Sequence, residues 1–235
     1  MPFIGNKPSA VPLTSADITD GIITSAKIAD GTIVNADINA SAAIDASKLT
    51  GLSSDFVLLA TTTASSSASV SFDGYFSSTY TNYEVIISDV RPASANVSLM
   101  CRFRRSNADV TASNYSNAGR RTHQIAGGSN VNDGRYASNA SQIDILTNSS
   151  PASASRTTGS KIIIYNPLST TSYKKVNFQS VGASDDGGGT NGIWNVNQYS
   201  QLTDNTDALS GVSFYYTSGN ISEGIFKLYG IKWKK

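Results

Sequence analysis

His123 is the only histidine in the 235-residue chain and stands in "RRTHQIAGG". A Ser-His-Asp mechanism would have to run through it, with a nucleophile and an orienting acid converging from elsewhere. No nucleophile-elbow pattern accompanies it and its neighbours are polar, so it is expected as an exposed structural or contact histidine. Zinc takes three or four Cys or His ligands, and the chain owns only His123 and Cys101 for that purpose. The stretch "SDDGGGTNG", residues 184–192, joins two carboxylates to permissive glycines. It lacks the D-x-D/N-x-D/N-G calcium spacing with its distal Glu, and no Lys or Ser/Thr follows as in a phosphate loop. It reads as a hairpin tip, with a low-affinity cation site as the alternative. Among seventeen acids a glycosidase pair, with carboxyls roughly 5–10 Å apart, is conceivable, yet no acidic cluster flanked by tryptophans marks a sugar cleft. The expectation is a protein that is not an enzyme and holds neither metal nor cofactor.

Binding chemistry is better supplied. A polar tract from about Ser106 to Asn139 holds Arg120, Arg121, His123 and Arg135 together with Tyr115 and Tyr136. Guanidinium forks beside aromatic rings grip phosphate- or carboxylate-bearing glycans, so these six are the expected receptor contacts. The competing reading pairs the arginines with acids across a subunit boundary. Trp194 and Tyr199 also fall in or beside polar segments, and Tyr75, Phe76, Tyr80 and Tyr83 crowd one turn. Rigid aromatic rings add contact area at little entropic cost, although core packing and subunit interfaces use them equally.

These side chains need a scaffold, and the scaffold reads as β. Strand patterns run through 56–60, 68–72, 83–88, 97–104, 142–146, 161–166, 173–181, 192–197, 211–216 and 224–233, separated by Gly, Asn, Ser and Pro turns. The 106–139 tract, rich in Asn, Ser and Gly, reads as a long functional loop. No helical periodicity occurs after residue 50. About ten short strands predict a two-sheet sandwich of jelly-roll type over residues 53–235. Cys101, in "VSLMCRFR", falls on one strand face with Val97, Leu99 and Phe103 and is expected as a small buried hydrophobe.

The N-terminal fifth is built differently. Pro2, Pro8 and Pro12 make residues 1–12 an extended arm. In residues 13–52 the apolar positions Ile18, Ile23, Ile28, Ile33, Ile38, Ile44 and Leu49 step by five, with one slip to six, and a small residue sits two places before each. That period fits neither helix nor strand. At ten residues a helix-start signal such as Thr-Ser-Ala-Asp alternates with Asp-Gly, which predicts one helical turn, a kink and a short extended piece, repeated. One or two large apolar side chains per unit cannot offset ordering costs of roughly 1–2 kcal/mol per residue. The isoleucines therefore need a cover: parallel copies of the chain wound about one axis, or a single-chain solenoid, for which the segment is short. A disordered linker is the third reading.

Composition narrows the field. Charged residues are 15% of the chain and the net charge is +1, which leaves no electrostatic footprint for nucleic acid. A lone cysteine excludes an internal disulfide. The opening residues lack the basic and apolar regions of a secretion signal, and no run approaches the ~18 apolar residues of a membrane span. The expectation is a chain made and folded in a cytoplasm, with no membrane insertion.

The sequence resembles the small fibre proteins of tailed bacteriophages. "TSADITDGIITSAKIADGTI" is similar to their stalk repeats, "MPFIGNKP" to their N-terminal anchors, and "LLATTTASSSASVSF" with "NYEVIISDVRPASANVSL" and the terminal "IFKLYGI" to their β-rich tips. The resemblance implies a homotrimer. Pro2, Phe3, Ile4, Asn6 and Pro8 of the arm would anchor it to another virion protein, and the isoleucines would line the stalk axis. The sandwich would bind a host surface glycan or protein. It implies a place on the virion, on head or tail. Two further functions stand beside it: a capsid-decorating or tail-fitting protein without a receptor role, and a glycan depolymerase, which a long parallel β-helix with a carboxylate cleft would favour.

Overall fold

The computed structural model describes residues 14–39, 41–45, 55–125, 130–150, 157–185 and 191–232. The chain divides into two units, Met1–Ser53 and Ser54–Lys235. The expected anchor residues Pro2, Phe3, Ile4, Asn6 and Pro8, and Leu49, lie outside the described residues.

In the first unit three single 3-10 turns, Ser15–Asp17, Ser25–Lys27 and Asn35–Asp37, recur every ten residues. Thr14 and Thr24 precede the first two in nearly the same extended conformation (φ −97° and −101°), and Ile18 and Ile28 end them in another (φ −110° and −114°). The first is closed by Asp17, whose Oδ2 accepts from the Thr14 N–H at 2.8 Å and the Thr14 hydroxyl at 2.7 Å; in the third, Asp37 accepts from the Val34 N–H at 2.9 Å. These local bonds satisfy donors that a one-turn helix leaves open. Gly21 and Gly31 follow at φ +77° and +78°, a region costly for a residue with a Cβ. The turns put the isoleucines in water. Ile18, Ile23, Ile28, Ile33, Ile38 and Ile44 are 39–55% exposed, and no described side chain of this unit is buried.

The second unit is a β-sandwich of two antiparallel sheets, as expected. Its described strands are β1 (Phe56–Ser67), β2 (Val70–Asp73), β3 (Asn82–Pro92), β4 (Val97–Arg105), β5 (Ala108–Asp109), β6 (Tyr115–Ile125), β7 (Val131–Ala140), β8 (Ile143–Ser150), β9 (Thr158–Tyr165), β10 (Lys174–Asp185), β11 (Asn191–Leu202), β12 (Gly211–Tyr216) and β13 (Ile221–Ile231). The larger sheet runs β1-β13-β3-β9-β10-β11-β6-β7; the smaller runs β2-β12-β4-β5, with β8 also paired to β4. Eight and five strands replace the eight-strand complement of a jelly roll. The period of two that marks a half-buried strand is explicit in β9 and β13, where Ile162, Ile164, Phe226 and Leu228 face inward. Phe214 of the smaller sheet meets Phe226 of the larger with ring centroids 5.6 Å apart. Cys101, 1% exposed, lies in this core with Val97, Leu99 and Phe103, and burial pushes its thiol pKa far up.

The 106–139 tract corrects the sequence reading. Most of it is strand, because β6 pairs with β11 without interruption from Tyr115↔Leu202 to Ile125↔Gly192, and β7 pairs with β6. Backbone hydrogen bonds carry such a ladder whatever the side chains. The tract's Asn, Ser and Gly content hid it, since these residues are depleted in strands generally.

Candidate functional site

The six expected receptor contacts all lie on β6 and β7, where alternation sorts them to opposite sides of the sheet. Inward go Tyr115, Arg121 and His123. Tyr115 has no exposed surface; its hydroxyl donates to the Val110 carbonyl at 3.0 Å and accepts from the Phe103 N–H at 3.1 Å. Burial raises that hydroxyl's pKa strongly. His123 is 3% exposed and stacks on Trp194, with centroids 3.7 Å apart and planes at 12°. The sequence expectation of an exposed loop histidine is thus overturned. The two rings meet because His123 and Trp194 are direct cross-strand partners on β6 and β11.

Arg121 lies two residues along the same strand face, its guanidinium 4.3 Å from the Trp194 ring centre. It also grips Asp133 with two hydrogen bonds, Nε to Oδ1 at 3.1 Å and Nη2 to Oδ2 at 2.6 Å. The Arg121 hydrogen bonds hold the Asp133 carboxyl below its usual pKa. Arg135 pairs with Asp144 of β8. A cavity of about 260 Å³ is lined by these four charged residues with Asn117 and Gln198. Arg121 and Arg135, both expected at a receptor, line one cavity, and each has an acid of its own chain as partner. Tyr115 and His123 are buried, and Arg121 and Arg135 are engaged in ion pairs within the chain.

Arg120 and Tyr136 face the other way. Tyr136 is 81% exposed, Arg120 is exposed, and Arg120 has no ion-pair partner among the described residues. The pairing register extends their surface across the larger sheet. One row reads Ile163, Asn177, Tyr199, Ala118, Tyr136 from β9 to β7, and the next reads Tyr165, Lys175, Gln201, Ser116 from β9 to β6. Tyr199 is 64% exposed and Tyr165 40%. A cleft of about 310 Å³ is lined by both tyrosines, Lys175 and Gln201. Tyr165 and Lys175 escaped the sequence reading because their strands were taken as scaffold.

The hairpin expected at 184–192 is present as β10 and β11, paired up to Asp185↔Asn191, with residues 186–190 of its tip outside the described set. Among the described residues no three His, Cys, Asp or Glu side chains come together as a metal site would require.

No protein family, curated protein or solved structure matches this chain. The functional reading rests on the residues themselves.

Proposed function

We propose that this chain is a self-associating fibre protein of a phage virion. Residues 13–52 wind with other copies into a stalk, three in all as the fibre resemblance implies. The arm holds a second virion protein, and the sandwich adsorbs to the host surface without catalysing a reaction.

The observation that supports this reading is the state of the first unit: regular turns, ten residues apart, whose seven described isoleucines stay about half exposed. A solenoid would bury such residues against its own next coil, and none is buried. Full burial of an isoleucine is worth roughly 1.5–3 kcal/mol, so covering the exposed half of each contributes on the order of 1 kcal/mol per residue. Repeated along every chain of an oligomer, that burial favours association.

The test is the mass of the full chain in solution, wild type against Ile28→Asp. The wild type should be an oligomer. A carboxylate brought from each chain to one dry axis costs several kcal/mol unless it stays wet, so the variant should dissociate while the sandwich still melts cooperatively. A monomeric wild type, or a variant of unchanged mass and melting temperature, refutes the proposal.

A further inference from the structure

The outward side of the larger sheet, from β9 to β7, has its own chemistry. Tyr199 and Tyr136 stand in one row with Ala118 between them. Two strand spacings, roughly 9.5 Å, separate them, and the Ala118 methyl fills little of the gap. The Tyr136 ring leans over Gly134, where an added Cβ would fall 2.3 Å from its Cε2. Gly134 is the cross-strand partner of Arg120, so ring and guanidinium share one corner of the face. Tyr165 and Lys175 flank the cleft on the other side.

Positive charge without an acidic partner stands on this face. Arg91, Arg104, Arg105, Arg121, Arg135 and Lys161 each have an acidic partner. Arg120 and Lys175 have none among the described residues. From Lys175 to Ala183 on β10, and on the neighbouring strands as far as β7, no described outward position carries a carboxylate, Asp185 being the last residue of β10; between the cations stand Asn177, Asn197 and Gln201.

We propose that this face docks a uronate-bearing polysaccharide. Sugar rings lie flat on the exposed tyrosines, which offer rigid apolar surfaces. The amides meet sugar hydroxyls as both donors and acceptors. Arg120 and Lys175 take carboxylates, Arg120 through its two-pronged fork. Two cations without an ion-pair partner, with only amides between them, select an anionic glycan over a neutral one. A polymer fits better than a single sugar, because the groups span five strands, roughly 19 Å. Two cations are too few for the phosphate spacing of a nucleic acid. The proposal rests on the fibre reading for where such a glycan is met, while the binding itself can be measured alone.

The test uses the full chain with polygalacturonate fragments as probe and dextran as the neutral control, at low salt and again near 1 M, where the screening length falls to about 3 Å. Wild type should bind polygalacturonate, lose it in high salt and ignore dextran. An Arg120→Gln/Lys175→Gln double variant should bind at least tenfold more weakly at unchanged oligomer mass, and Tyr199→Ala should weaken binding with its residual salt dependence intact. Wild type that ignores polygalacturonate at low salt, or a double variant that binds it equally well, overturns the site. A double variant of lower oligomer mass also overturns it, assigning the face to a second copy of the chain. A protein that fails here yet stays oligomeric and adsorbs to cells keeps the fibre reading and loses only this surface.

Discussion

Arg120 and Arg121 are adjacent in sequence, and removing each should have opposite consequences. Arg121→Ala takes away a two-bond pair to Asp133 and a cation lying over Trp194. The pair is partly solvated, with side-chain exposures of 22% and 40%, so solvent screening holds it to about 0.2–1 kcal/mol. The stacked guanidinium adds about 0.5–1 kcal/mol. The total, about 1–2 kcal/mol, should lower the melting temperature by roughly 2–8 °C in a domain of this size. Arg120→Ala removes an exposed side chain with no ion-pair partner and should stay within about 0.5 kcal/mol of wild type. Calorimetric melts of the two variants at neutral pH make the comparison. The pH dependence gives a second readout. Asp133 is held below its ordinary pKa by Arg121, so its share of the stability is present above the unfolded carboxyl value of about 3.9 and is lost as pH falls through the folded value. The gap between wild type and Arg121→Ala should therefore narrow below about pH 4, leaving only the stacking share. Equal melting temperatures for the two variants, or a gap indifferent to acid, would show that β6 does not face the way described.

Two further outcomes test the core and the loops around it. Lys174 is fully buried, its Nζ donating to the Ser169, Ser172 and Thr206 carbonyls; Lys174→Met should strand these acceptors and cost on the order of 2–3 kcal/mol, read as a lower denaturation midpoint, and an unchanged midpoint would mean that water replaces the ammonium. The Cys101 thiol, buried and with its pKa raised, should resist aromatic disulfide reagents in the native state and react at the rate at which the sandwich opens; rapid native labelling would place it at the surface.

Much of the fold was legible because the signal was local. The strands around 83–88, 97–104, 161–166, 211–216 and 224–233 alternate or concentrate aliphatic and aromatic side chains, and each became a strand with Val85, Leu99, Ile162, Phe214 or Phe226 in the core. The 106–139 tract was misread for the same reason in reverse. The inward positions of β6 are Tyr115, Asn117, Gly119, Arg121 and His123, which shows no aliphatic alternation. Its clue was a pair of runs on either side of the sequence "AGGS", with His123 opposite Val131. The expected contact residues were read as one loop surface, whereas they lie on two paired strands and point to both faces of them.

Sequence alone determined what depends on neighbours in the chain. Thr-Ser-Ala-Asp closes its own turn, Asp-Gly supplies the left-handed residue, and the isoleucines recur at five because the motif does. Tertiary structure decided everything that turns on register. In a strand successive side chains point to opposite faces, so a shift of one residue exchanges Arg120 for Arg121 and Tyr136 for Arg135. That register is set by β6 bonding to β11, some seventy residues away in the chain at Arg121↔Val196. No local pattern in a strand with so few aliphatic residues carries that information, because the backbone hydrogen bonds that fix it are the same for every residue type.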